Sequence, residues 1–348
     1  MSSKYVVSYR KYIPIDFDDV IGQEKITETL KKAIERNMLS QCFLFCGPRG
    51  VGKTTCAKIL ARKVNNFSYE EKNSMFNILE LDAASNNSVD DIRQIINQLN
   101  FIPPYGKYKV YIIDEFHMLS NSAFNAFLKI LEDPPSHVIF ILATTEKNKI
   151  LSTIISRCQV YDFNRISVND IKEYLINICK KENIEYEEDA LLLISENSDG
   201  SLRDALSIFD RLILYSNNRL LRTIVYNKLG ILDIEYCLKM TDFMIKKNIY
   251  KVLLLFDEII EKGVDINMFI TSLSKHFRNL LISRNIRSNK LLSFSEKIRK
   301  KYFIQSKKID KKVIIKALNI CNNTENTYKQ NKDIRLALEI ALIKLSSS

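Results

Sequence analysis

The sequence predicts an α/β domain built on a parallel sheet, followed by two helical domains, and three observations predict it. Between residues 37 and 164, near-continuous apolar runs of strand length alternate with amphipathic stretches, the pattern of a sheet covered by helices on both faces. A glycine-rich loop, Gly47–Thr54, directly follows the first of those runs and opens a helix. All six prolines lie in the first 135 residues, which leaves the remainder free of the strongest helix breaker.

The strands are expected at CFLFC (42–46), FNILELD (76–82), KVYIID (109–114) and VIFILA (138–143), with a short fifth at QVYDF (159–163). From about residue 165 the strands are expected to stop. IKEYLINICKKENI, DALLLISEN and LRDALSIFDRLILYS carry apolar residues at spacings of three and four, which predicts a small helical domain to about 220. The rest is expected to be helical too, with Ile334, Leu338, Ala341, Leu342 and Leu345 on one face of the last helix. The change of period alone puts the domains at 1–164, 165–220 and 221–348.

With 348 residues, 46% hydrophobic and 27% charged, the chain can bury two or three cores, and no apolar run approaches the roughly 20 residues that span a bilayer. Seven dispersed cysteines (42, 46, 56, 158, 179, 237, 321) and a polar, mixed start at Met1–Arg10 read as a reduced, cytoplasmic protein. Cys42 and Cys46 flank an apolar tripeptide and read as core. The net charge of +11 belongs to the last third: residues 221–348 hold 25 basic and 12 acidic side chains. Such an excess suits nucleic acid; the alternative is a composition drawn from a genome biased toward A and T, since Lys outnumbers Arg 36 to 16.

GPRGVGKT (47–54) has the strand-loop-helix context of a P-loop. Its glycines let backbone N–H groups wrap phosphates, Lys53 reaches the β and γ phosphates, and Thr54 holds Mg²⁺. The whole loop is the expected ATP contact: Gly47, Pro48, Arg49, Gly50, Val51, Gly52, Lys53, Thr54 and Thr55. Asp114 and Glu115 end the KVYIID strand, where one carboxylate can organise Mg²⁺ and the next polarise a water. Thr144 and Thr145 end another strand. Arg157, in SRC, and Arg203, in GSLRDA near a helix start, have the permanently charged planar group that suits transferring phosphate.

The order of these motifs resembles the AAA+ clamp-loader ATPases. ELDAASNNSVDDIR, GKYKVYIIDEFHMLS, AFNAFLKILEDPP and ILATTEKNKILSTIISRCQVYDF are similar to the gamma/tau subunits of the bacterial DNA polymerase III loader, densely from Tyr9 to about Leu214 and thinly beyond. The resemblance implies an α/β P-loop (AAA+) domain, a helical lid and an all-α collar. It implies roles as well: Thr144 as first sensor, Arg203 as second, Glu115 as catalytic base, Asp114 with Thr54 at Mg²⁺, and Arg157 as a finger reaching a neighbouring subunit's ATP. Val20, Ile21 and Gly22, in FDDVIGQEKI, are the implied adenine contacts. The implied activity is ATP-driven loading of a sliding clamp onto primed double-stranded DNA, in a ring with other loader subunits and copies of itself. Such a subunit is usually classed with its DNA-directed DNA polymerase holoenzyme, although this sequence has no nucleotidyl-transfer site of its own.

Two departures from the family pattern stand out. Most relatives insert a four-cysteine zinc module after the P-loop helix, whereas Arg62–Met75 has no Cys or His, so no zinc is expected. The end at Ser348 suggests a short form limited to clamp loading. Phe116 replaces a small aliphatic residue, and His117 reads as structural. The competing functions are a sister loader subunit, another AAA+ DNA motor such as a branch-migration helicase, and a non-catalytic ATP-binding scaffold.

Overall fold

The computed structural model describes residues 7–71, 74–285, 292, 296–327 and 333–347. The start at Met1–Val6, positions 72 and 73 of the zinc-free stretch and Ser348 lie outside the described residues. The chain divides into two compact units, one of residues 1–177 with 195–210, the other of 178–194 with 211–348.

In the first unit β1 (Cys42–Cys46), β2 (Ile78–Asp82), β3 (Lys109–Asp114), β4 (Val138–Thr144) and β5 (Gln159–Asp162) form one sheet in the order β2-β3-β4-β1-β5. Every pairing is parallel. Alternate side chains explain the unbroken apolar runs. Leu44, Ile113, Phe140 and Leu142 pack on one face with Ile92, Phe124 and Phe127 of helices Val89–Leu99 and Asn121–Glu132. Phe43, Phe45, Ile112 and Ile141 pack on the other with Leu30, Ile59 and Leu60 of helices Glu24–Glu35 and Lys53–Val64. A strand buried on both faces has no polar side to show. Phe116, for which the sequence offers no account, is fully buried and meets Phe124 and Phe127 ring edge to ring face at 5.2 Å.

Two expectations are corrected. Phe76 and Asn77 belong to a helical turn, Ser74–Asn77, and not to β2; Asn77 is fully buried and its amide donates to the carbonyls of Tyr105 and Tyr108, a polar tie a strand residue here would lack. Strands also recur after residue 165. Glu185–Tyr186 and Arg219–Leu220 pair in parallel, too short to carry a period.

Apart from that pair, the regular elements among the second unit's described residues are helices. Helices Ile234–Ile245, Ile249–Glu261, Ile266–Ser283, Glu296–Lys307, Lys311–Thr327 and Ile334–Ser346 share one core, with Phe256 and Phe269 in edge-to-face contact at 4.9 Å. Leu338, Ala341, Leu342 and Leu345 are buried, as their spacing predicts, whereas Ile334, expected on the same face, is only partly buried. His276 is enclosed among Thr241 (3.0 Å) and Tyr302 (3.1 Å), and burial pushes its imidazole pKa down to about 3. Among the described residues no helix is long and apolar enough to cross a membrane.

Candidate functional site

Parallel strands leave their loops on one edge, and the chemistry-bearing residues collect there. β1 and β4 are in register with Cys46 opposite Thr144, and the N–H of Gly47 donates to the Thr144 carbonyl at 3.1 Å. At Gly47 a Cβ would stand 2.4 Å from the Phe163 carbonyl oxygen, so only glycine lets the chain turn out of the strand there. Gly52, at φ +104°, caps helix Lys53–Val64. The loop therefore presents its backbone at a helix N-terminus, where anions are favoured.

Lys53 folds back over this loop. Its ammonium donates to the carbonyls of Gly47 (2.8 Å) and Pro48 (2.7 Å), and the residue is 6% exposed. Burial lowers its pKa, while Glu115 and Asp114 pull it back up. The Thr54 hydroxyl donates to the Asp114 carboxylate at 2.7 Å. A hydroxyl and a carboxylate oxygen side by side are hard ligands of the kind Mg²⁺ takes beside phosphates, so the residues present fit ATP with that ion. Pro48, Arg49, Val51 and Thr55 complete the loop; Arg49 is exposed and Val51 buried.

Glu115 follows β3 with a left-handed backbone, φ +47° and ψ 41°. A non-glycine residue there is strained, and such strain gathers at functional sites. The turn lifts its carboxylate off the strand line, where Thr145 donates to it at 3.1 Å. The two sensor-region threonines differ. Thr144 has no exposed surface; its hydroxyl lies 3.2 Å from His117 Nδ1 and accepts the Glu146 N–H. Thr145, the second of these strand-end threonines, makes the contact with Glu115.

Arg203 stands beside the loop as well. An added Cβ on Gly50 would lie 2.1 Å from Ser201 Oγ and 3.2 Å from Arg203 Cβ. The N–H of Leu202 donates to the Gly50 carbonyl at 3.1 Å, and the Arg203 guanidinium faces the Tyr9 ring at 5.5 Å. Arg157 is not gathered with these groups. It is exposed, donates to the Thr153 carbonyl at 2.8 Å and lies 3.7 Å from Glu132.

Val20 is buried against the P-loop side of the core, 3.8 Å from where a Gly52 Cβ would stand, with Ile21 and Gly22 partly exposed after it. Sequence reasoning missed Gln23. It is 3% exposed and bonds Asn164 on both amide atoms (2.7 and 3.3 Å) and the Val51 carbonyl (3.4 Å). A buried glutamine needs such partners, and its place next to VIG was the available signal.

A phosphate loop after β1, a DE pair after β3, threonines after β4 and a helical segment returning an arginine to the loop define a P-loop ATPase of the AAA+ class. Comparison with known proteins narrows this. Residues 22–167 match the family described as "DNA polymerase III, delta subunit", 170–218 the "DNA polymerase III clamp loader subunit, ATPase lid domain", and 220–348 "DNA polymerase III subunits gamma and tau domain III". DNA polymerase III subunit tau of Bacillus subtilis is 37% identical over 98% of this chain, and subunit gamma of Buchnera aphidicola is 35% identical over 82%. The chain spans 63% of the Bacillus protein's length and 81% of the Buchnera protein's. It belongs to the DNA polymerase III gamma/tau family. Among solved structures, the RuvB Holliday junction branch migration motor of Thermotoga maritima is similar over 69% of this chain and 80% of its own, at TM-score 0.51 and 25% identity.

Proposed function

We propose that this chain is the ATP-hydrolysing motor subunit of a clamp loader, which opens a ring-shaped sliding clamp and places it on primed DNA. The observation that carries the reading is the gathering of Lys53, Thr54, Asp114, Glu115 and Arg203 around one loop, in a chain whose residues 220–348 match a gamma/tau domain. That last match favours the loader over a branch-migration motor.

In this reading the loop N–H groups and Lys53 bind ATP phosphates, while Thr54 and Asp114 hold Mg²⁺, which neutralises phosphate charge when bound. Glu115 takes a proton from the attacking water, Thr144 and Thr145 sense the γ-phosphate end, Arg203 reads the same nucleotide, and Val20, Ile21 and Gly22 border adenine. Arg157, exposed and engaged away from its own loop, serves the neighbouring subunit's ATP. Such a finger contributes about 10³ to 10⁵ in rate.

The three-part division at 1–164, 165–220 and 221–348 is kept as ATPase, lid and collar, in step with the family matches. The basic collar unit and the ATPase edge would meet DNA phosphates without sequence preference, so binding should weaken steeply with salt. The proposed partners are sister loader subunits, copies of this chain, the clamp and, in the cytoplasm, a polymerase that performs the nucleotidyl transfer. No zinc is expected; one equivalent of tightly held zinc in purified protein would contradict this. The deciding experiment reconstitutes the chain with loader subunits and measures ATP turnover: stimulation by clamp plus primed DNA is expected, and its absence overturns the reading.

A further inference from the structure

We propose that His117 is a positioning residue for Glu115, an inference that rests on the ATPase reading above. The imidazole lies between two carboxylates. Its Nδ1 is 3.4 Å from Glu115 Oε2 and its Nε2 is 3.4 Å from Glu146 Oε1. Nδ1 is also 3.2 Å from Thr144 Oγ1, and the side chain is 7% exposed.

In its neutral form an imidazole has one N–H and one acceptor nitrogen, so in that form its single N–H faces one of the two carboxylates at a time. With the proton on Nδ1, the ring donates to Thr144 Oγ1 and sets the same N–H edge 3.4 Å from Glu115 Oε2. With the proton on Nε2, it donates toward Glu146, and the Thr144 hydroxyl, which already accepts the Glu146 N–H at 3.1 Å, turns its own hydrogen to Nδ1. In that second arrangement the Nδ1 lone pair faces Glu115 Oε2, and among the described residues Thr145 is what holds the carboxylate. The ring is thus a second support that aims Glu115, and without it the carboxylate rests on Thr145 and drifts from its working position.

The second carboxylate is placed to report on another part of the chain. Glu146 pairs with Lys149 at 2.8 Å, in the 3₁₀ turn Lys147–Lys149 that leads into helix Ser152–Ile155 and Arg157. The neighbouring Lys147 ties that turn to Asp162 of β5 at 2.8 Å. His117 therefore joins the base of this site to the segment that carries the arginine offered to the next one.

The test is steady-state ATP turnover in the reconstituted loader, comparing the native chain with His117→Leu, which keeps bulk without polarity, and His117→Asn, which keeps a polar atom near the Nδ1 position. His117→Leu should lower kcat about ten- to a hundredfold, the scale of a misplaced catalytic group. Its KM and its affinity for a fluorescent ATP analogue should stay within about twofold of the native values, and His117→Asn should recover most of the loss. An unchanged kcat in His117→Leu, equal losses in the two variants, or affinity falling in step with rate would overturn the inference. A native assembly that binds ATP without turning it over overturns the ATPase reading instead.

Discussion

The hydroxyl of Thr54 donates to the carboxylate of Asp114 across 2.7 Å, joining the first turn of the P-loop helix to the tip of β3. Two elements 60 residues apart in sequence are thereby tied together, side by side as the proposed Mg²⁺ site needs. Replacing Thr54 with Val should leave Asp114 partly buried without this donor. A hydrogen bond to a charged group is worth about 1.5–3 kcal/mol, so unfolding by urea should shift by a sizeable part of that. Mg²⁺-dependent turnover should fall about a hundredfold, and a variant matching the native chain in both assays would refute the assignment.

On the proposed reading, Lys53 and Arg157 separate binding from hydrolysis. Lys53 lies on the loop carbonyls, whereas Arg157 contacts Thr153 and Glu132. In equilibrium titrations Lys53→Ala should lose nucleotide affinity. Arg157→Ala should keep it and lose about a thousandfold of assembly-stimulated turnover. Equal losses of affinity would count against a finger acting between subunits.

Gly50 and Gly52 both have positive φ, +73° and +104°, but only Gly50 is crowded. Gly52→Ala carries backbone strain alone, about 1–2 kcal/mol. Gly50→Ala adds a clash with Ser201 and Arg203 and must loosen the Leu202–Gly50 hydrogen bond. Thermal unfolding should rank Gly50→Ala below Gly52→Ala; the reverse order would mean that the helix start does not rest on the loop.

His276 makes stability depend on pH. Its folded pKa of about 3 lies below the ordinary value near 6.5, so the unfolded chain binds the extra proton. Its contribution is fully present above pH 6.5 and is lost as pH falls toward 3, at about 1.4 kcal/mol per unit. Denaturation midpoints of the native chain should decline across that window more steeply than those of His276→Asn, and parallel curves would exclude the effect.

Much of this was legible in the sequence because it is local. Four strands and the P-loop follow from contiguous apolar runs and glycine spacing, and the buried face of the last helix follows from its period. What escaped depends on distant partners. Asn77 looks like strand until Tyr105 and Tyr108 arrive to claim its amide. Thr144 and Thr145 are indistinguishable as letters, and only the fold turns one to His117 and the other to Glu115. Gln23 gains its meaning from Asn164, 141 residues away.

The hydrogen bond from Leu202 to Gly50 also bears on how the protein is made. The unit that contains the phosphate loop draws on residues 195–210, after the chain has passed through 178–194 of the other unit. Translation proceeds from the N-terminus, and domains tend to fold in that order. Here the sheet can assemble early, yet the ribosome must deliver roughly 210 residues before the loop acquires its last neighbour. Nascent chains arrested before residue 200 should therefore hold a sheet without a finished nucleotide pocket, a built-in delay between folding and competence.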